Sequence, residues 1–386
     1  MQALLLMVAL CASGDLQSDY QELVQVADAA REASQSMRGT EVSDADREKY
    51  MALRKDLSEK SDAFVEAHLL GDLSPEAAKV LVESSSHAML RGLMYSWMRT
   101  SLEKGEPKAF LGNVDKLEKA GLDEAQMASL DQPRAVAMVA AGDMAGAKEL
   151  ATKKAEELGA GGLGMLDVLA AIHVCEGKLE DARQLFVKYQ EKYGEENARS
   201  AYAFETKAKM IGQPAEEITV ATWIGPKGAE SEGWSGLAEL RGNVVVMDFW
   251  QTWCGPCRVV MPGLSHLQEK MEGKPFEILG LCYKDGRPGY DWAEQKSVPV
   301  AQIEGESYVP HVRKFSKDMG LAYTIGVAED RTNSTAYGIR GIPTLVMVDP
   351  QGRVAWITIG AAPGVDLLIE IMAEKMIAGA KVGSGG

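Results

Sequence analysis

The sequence predicts a multidomain protein: an α-helical repeat array followed by an α/β domain built on a mixed sheet flanked by helices. Three observations predict it. From Asp15 to about Gly212 the chain is rich in Ala, Glu, Lys, Leu and Met and poor in proline, with apolar residues returning at helical spacing. Within that stretch a glycine-led signature recurs at Gly71 ("GDLSPEAA"), Gly105 ("GEPKAF"), Gly142 ("GDMAGA") and Gly177 ("GKLEDA"), spaced 34, 37 and 35 residues apart. After "IGQPAEE" the texture changes to β-branched and aromatic runs that alternate with helical ones. A chain of 386 residues also exceeds what one core usually holds.

The first 14 residues read as a signal. "MQALLLMVALCA" is apolar for roughly 12 residues where a membrane span needs ~20, the length of an export-signal core. The run ends at Cys11 in "CASG", which resembles a bacterial lipoprotein signal and implies export to the periplasm or cell envelope with a lipid anchor at Cys11. Two features depart from that pattern: no Lys or Arg precedes the run, and Leu10 stands where Gly or Ala is usual. Without a functional signal the chain would stay in the cytoplasm.

Residues 15–212 follow. The glycine period is that of tetratricopeptide helix pairs, in which a Gly ends the first helix and an Ala packs inside the second; this part resembles a divergent tetratricopeptide array. Such stacks build a concave groove that takes an extended peptide or a partner helix. A spacer or dimerisation arm is the plainer alternative.

Residues 213–377 supply the α/β domain. "ITVATWI" and "VVVMDFW" read as strands, "CRVVMPGLSHLQEKM" as a helix and "FEILGLCY" as a strand. "YVPHVRKFSKDMG" is a helix, "AYTIGVAE" a strand, "TLVMVDP" and "VAWITIG" a hairpin, and "GVDLLIEIMAEKMIAG" a closing helix. An insert at 285–308 carries Tyr290, Trp292 and Tyr308, which read as ordinary packing or as a substrate surface. Residues 378–386, ending "AKVGSGG", read as a flexible tail.

Composition removes several functions. The net charge of −15 and the absence of a Lys/Arg cluster argue against a nucleic-acid partner. Five cysteines are present, but only Cys254 and Cys257 are close; zinc would want a second near pair, and the histidines show no ligand spacing. No metal or other cofactor is expected. Cys175 and Cys282, in apolar stretches, read as small buried hydrophobes.

"FWQTWCGPC" carries the chemistry. If "CGPC" opens the helix, Cys254 lies at its N-terminus and Cys257 one turn on along the same face, close enough for a disulfide. Unpaired N–H groups and the helix dipole there favour a thiolate, making Cys254 the nucleophile and Cys257 the thiol that resolves the mixed disulfide. Pro256 sits in the first turn, where its missing N–H costs nothing.

"DFWQTWCGPC", with Pro262 five residues on and "YGIRGIPTLVMVD" about 80 residues downstream, resembles thioredoxin, and the entry "IGQPAEE" is similar to exported TlpA/ResA-type thioredoxin-like proteins. The resemblance covers residues 213–377, under half the chain. It implies a thioredoxin fold in which Pro343 is a cis-proline facing the disulfide and Ile342 offers its backbone to an extended substrate strand. Trp253 would cover the dithiol, with Gly255 and Pro256 beside it in the substrate-binding surface. Asp248 would be the buried acid that exchanges a proton with Cys257, its pKa raised by desolvation. This sequence departs from the pattern in offering Val259 and Val260 where exported relatives often carry Glu, and in lacking, near Gly280, the lysine that neighbours the acid in thioredoxin.

The expected function is therefore a thiol–disulfide oxidoreductase that reduces protein disulfides through Cys254 and Cys257, fed by a donor such as a membrane thiol reductase. The helical repeats would hold the substrate or a partner. The rival from another class is a binding scaffold in which the redox module is incidental. A peroxidase of the peroxiredoxin group is disfavoured, because C-G-P-C stands where that group has a lone cysteine in a Pro-and-Thr context.

Overall fold

The computed structural model describes residues 16–36, 44–84, 87–294, 296–361 and 364–383. The stretch expected to be a signal, residues 1–14 with Cys11, lies outside the described residues. The chain divides into two compact units, 1–150 and 151–386.

The first unit is helical: α1 (Leu16–Ser36), α2 (Asp44–Phe64), a π-helical turn at Val65–Leu69, α3 (Pro75–Ser84), α4 (His87–Glu103), α5 (Pro107–Lys119) and α6 (Glu124–Ala140). Buried aromatic pairs tie its turns together, Tyr20 against Phe64 at 5.5 Å and Trp97 edge-on to Phe110 at 5.4 Å. Buried Asn113 accepts from the Leu73 N–H and donates to the Gly71 carbonyl, satisfying a loop that its own backbone leaves open. At the start of α6, Asp123 and Gln126 form a reciprocal capping box. Helix α7 (Met144–Leu158) runs across the division.

The four signature glycines behave alike. Gly71, Gly105, Gly142 and Gly177 all take positive φ, between 72° and 88°, each beyond the end of a helical segment, where the left-handed conformation favours glycine. Ala147 and Ala182, five residues after the last two, are fully buried.

The second unit holds α8 (Leu163–Cys175), α9 (Leu179–Tyr193) and α10 (Ala198–Met210), then the sheet. Its elements are β1 (Thr222–Ile224), β2 (Val244–Phe249), α11 (Gly255–Lys270), β3 (Phe276–Tyr283), β4 (Gly289–Asp291), β5 (Lys296–Val298), α12 (Tyr308–Met319), β6 (Thr324–Ala328), α13 (Thr332–Ala336), β7 (Thr344–Val348), β8 (Val354–Ile359) and α14 (Val365–Gly383). Six strands run in the order β1-β6-β3-β2-β7-β8. β2, β3 and β6 are mutually parallel, and β1, β7 and β8 run against their neighbours, which makes the sheet mixed. β2 is apolar at every position but Asp248 because it is buried on both faces. One face packs Val245, Met247, Phe249, Leu279, Leu281, Val346 and Val348 against Tyr337, Ile339, Leu237 and Leu240.

β8 is an edge strand, and an exposed edge invites unwanted pairing. The chain entering the sheet closes part of it: the Gly212 N–H donates to the Val354 carbonyl and the Val354 N–H to the Gln213 carbonyl, both at 2.8 Å. Helices α8 and α10 cover β8 through a buried polar cluster. Asp167 of α8 is paired with the fully buried Lys207 of α10, accepts from the Thr358 hydroxyl at 3.1 Å, and receives the Trp356 indole N–H on its carbonyl at 3.1 Å. Lys207 also stands over the Phe186 ring at 4.9 Å. Burial pushes the Asp167 carboxyl above its ordinary pKa even against the pull of Lys207.

The element order follows the expected one, with differences: the short helix α13 is unexpected, and α14 runs to Gly383, six residues into the stretch 378–386 read as a flexible tail, because the helix continues through Ala378, Gly379 and Ala380. Of "ITVATWI" only Thr222–Ile224 is strand, because β6 offers it a three-residue partner. The 285–308 insert folds into the small hairpin β4–β5, too short for a periodic pattern to announce it.

Candidate functional site

β2 delivers the site. It ends at Phe249, whose parallel partner is Leu281 and whose antiparallel partner is Thr344. The Trp250 N–H donates to the Leu281 carbonyl at 3.1 Å, so the chain leaves the sheet only at Gln251. Cys254 then caps α11. It has extended backbone geometry, its sulfur accepts from the Cys257 N–H at 3.2 Å, and Pro256 fills the first turn. Cys254 and Cys257 form a disulfide. Cys257 is fully buried and Cys254 is 3% exposed; Pro256 is exposed, and Trp253 and Gly255 are half-buried. With the bond reduced, the N–H that points at the Cys254 sulfur, together with the helix N-terminus, favours the thiolate at position 254.

Around this turn the insert builds a frame. Trp253 donates its indole N–H to Asp285 at 2.7 Å, with the Arg287 guanidinium 4.8 Å above its ring. Gln251 donates to the Tyr283 carbonyl at 2.9 Å and accepts from the Tyr308 hydroxyl at 2.5 Å. Thr252 meets His311 at 3.1 Å and the Tyr290 N–H at 3.3 Å. Arg258 donates to the Thr252 carbonyl at 2.7 Å and lies 3.6 Å over the Tyr290 ring. Burial depresses the His311 pKa, which favours the neutral ring. Tyr308 is buried, Tyr290 is 9% exposed, and Trp292 packs edge-on to Phe315 at 6.3 Å. Tyr290 and Tyr308 thus pack against the dithiol turn, whereas half-buried Trp292 packs on Phe315.

Asp248 is the last residue but one of β2, six residues before Cys254. It is fully buried, and strand alternation puts it on the face opposite the apolar cluster around Met247 and Phe249. Burial lifts its pKa from 3.8 to about 7, opposed by the Tyr323 hydroxyl, which donates to Oδ2 at 3.4 Å. Among the described residues Oδ1 has no hydrogen-bond partner. Gly280 stands directly beside Asp248 in the register, and a Cβ there would meet the Trp250 indole nitrogen at 2.9 Å and Tyr323 at 3.0 Å. The missing lysine has a steric reason: Trp250 and Tyr323 occupy the space a side chain at 280 would need. Tyr323 is a partner that sequence reasoning missed, since it reaches Asp248 across 75 residues.

The second loop arrives on the neighbouring strand. The Ile342–Pro343 peptide is cis. Pro343 immediately precedes Thr344, the partner of Phe249, so the cis-proline loop and the Cys254 turn leave adjacent strands at the same end of the sheet. Gly360 donates to the Pro343 carbonyl at 2.8 Å, whereas the main chain of half-buried Ile342 makes no hydrogen bond among the described residues. Val259, one turn beyond Pro256 on α11, is 52% exposed. No group of three or more His, Cys, Asp or Glu side chains able to hold a metal ion occurs among the described residues. Cys282 is buried and Cys175 partly buried, and both are unpaired thiols whose pKa values burial raises.

Residues 211–357 match the AhpC/TSA family. They form a thioredoxin-like domain. Over 158 residues the chain is 27% identical to the thiol–disulfide oxidoreductase ResA of Bacillus thuringiensis, covering 41% of this chain and 75% of that one. It is 27% identical to ResA of Bacillus subtilis over 124 residues, 32% of this chain and 57% of the relative. Among solved structures it is similar to a thiol:disulfide interchange protein, described as a putative DsbE, from Chlorobium tepidum, with 22% identity and a TM-score of 0.32, covering 44% of this chain and 96% of that one. The C-G-P-C at residues 254–257 falls inside the matched span.

Proposed function

We propose that this protein is a thiol–disulfide oxidoreductase that reduces protein disulfides, with Cys254 as nucleophile and Cys257 as resolving thiol. One observation carries the reading: a disulfide at a helix N-terminus, its outer sulfur facing a backbone N–H, with a buried carboxyl whose pKa is raised to about 7 at the end of the strand that leads into it. In the reduced protein the Cys254 thiolate attacks a substrate disulfide, forming a mixed disulfide and releasing one substrate thiolate. Asp248, ionised, accepts the Cys257 proton; the new thiolate attacks Cys254 and frees the second substrate sulfur as the Cys254–Cys257 disulfide forms. Two electrons pass to the substrate per cycle, so an external dithiol donor must restore the pair. An acid titrating near neutrality suits this step, because it is a usable base at pH 7 and a proton source in the reverse direction.

Ile342, with its main chain unpaired beside the turn, and Val259, apolar and exposed, support an extended polypeptide substrate that pairs with the backbone and rests on α11. The helical repeats would hold the substrate or a partner, and the N-terminal signal would place the protein in the cell envelope, with a membrane thiol reductase as donor. Disulfide reduction measured with Cys254→Ser tests the core of the proposal: the variant should lose activity by orders of magnitude, and retained activity would reject the mechanism.

A further inference from the structure

The last helix before the sheet reaches the cis-proline loop, and nothing in the redox chemistry explains why. On α10, Tyr202 accepts the Arg340 N–H at 2.8 Å and donates to the Gly338 carbonyl at 3.2 Å, while the Arg340 guanidinium lies 5.2 Å over its ring. One hydroxyl therefore joins two main-chain groups of the segment that runs Gly338-Ile339-Arg340-Gly341 into Ile342 and cis-Pro343. The rest of that segment is held from its own ends: Ile339 donates to the Ser334 carbonyl and Thr344 to the Gly341 carbonyl.

α10 is itself a firm support. Phe204 and Lys207 are buried, Lys207 is paired with Asp167, and Asp167 is bonded to Thr358 and Trp356 of β8, the strand beside β7. The Asn197 side chain caps the helix start, and Ser200 donates to the Ala160 carbonyl at 2.8 Å. A rigid helix fixed to one strand thus fixes the loop that leads into the next.

We infer that Tyr202 is a positioning residue for substrate: its hydroxyl holds the 338–341 main chain so that Ile342 presents its free N–H and C=O beside Cys254. The inference rests on the oxidoreductase reading and deepens it by assigning part of the substrate-binding geometry to a helix outside the sheet. A loop held in its binding conformation loses less entropy when a strand pairs with it, so the hydroxyl should act on substrate affinity more than on chemistry.

Tyr202→Phe in the full chain keeps the ring and removes only the hydroxyl. With insulin as polypeptide disulfide, KM should rise roughly fivefold while kcat changes by less than about twofold, a hydrogen bond's worth of binding energy. An unchanged KM overturns the inference, whatever happens to kcat. Amide exchange in the wild type gives a test that does not need the variant to fold. Arg340 should exchange at least about tenfold more slowly than Gly341, whose N–H makes no hydrogen bond among the described residues, and equal rates overturn the inference. A wild type inert toward insulin would remove the redox reading and this inference with it, whereas an active wild type with an unmoved KM in the variant would remove this inference alone.

Discussion

Replacing Asp248 by Asn gives a stability effect whose sign and pH window follow from the structure. Burial raises the carboxyl pKa from 3.8 to about 7. The folded protein therefore holds a proton that the unfolded chain releases between about pH 4 and pH 7. This group favours the folded state most at the low end of that window; stability falls as pH rises through it and levels off above about pH 7. A shift of roughly three units at about 1.4 kcal/mol each makes the ionised carboxylate cost about 4 kcal/mol above pH 7. Asn removes the charge but leaves a buried amide to satisfy, so the net gain at pH 8.5 should be about 2 to 4 kcal/mol. At pH 4.5, where folded Asp248 is neutral, the two proteins should differ by no more than about 1 kcal/mol. Guanidinium denaturation of the oxidised proteins at both pH values reads this, following the transition of the unit that holds the sheet. Glu277, which burial also lifts to about 7, is present in both proteins and cancels in the difference. A stability difference independent of pH would refute the buried-acid argument.

Tyr323→Phe should raise the Asp248 pKa further, because the lost hydrogen bond was opposing desolvation; the pH midpoint of the Cys257 resolving step, followed by stopped-flow fluorescence, should move alkaline. Lys207→Met strands Asp167 in a buried site and should cost about 3 kcal/mol at pH 8, less at pH 5 where the carboxyl can protonate, with Asp167→Asn added in the same chain recovering part of the loss in thermal denaturation.

The α/β order was legible because its signals are local. β2 is an unbroken apolar run bounded by turn residues, and α11 announces itself through a proline in its first turn and apolar residues at helical spacing. The dithiol turn and the proline that proved cis were legible for the same reason, as short motifs with fixed spacing. What escaped depends on contacts far apart in sequence. Nothing near Tyr323 marks it as the partner of Asp248, and nothing near Tyr202 says that its hydroxyl serves a loop 136 residues on. Lys207 shows the limit of pattern reading most plainly. A lysine in an Ala-, Glu- and Lys-rich helix reads as solvent-facing, yet here it is 1% exposed, because Asp167 and the Phe186 ring give its charge a place inside. The expected change of character near residue 212 is real at the level of secondary structure, but α8 to α10 belong to the same compact unit as the sheet. Edge coverage of β8 is the physical reason, and it is invisible to local periodicity.

The reduction potential of the Cys254–Cys257 pair tests the central claim most directly. The full-length protein would be equilibrated across a glutathione or dithiothreitol series, and the free thiols counted by alkylation. A dedicated reductase requires a reversible two-electron couple with a midpoint near thioredoxin's, about −270 mV. A midpoint nearer −120 to −180 mV would make the protein an oxidant or isomerase, and the absence of any reversible couple would contradict the account outright.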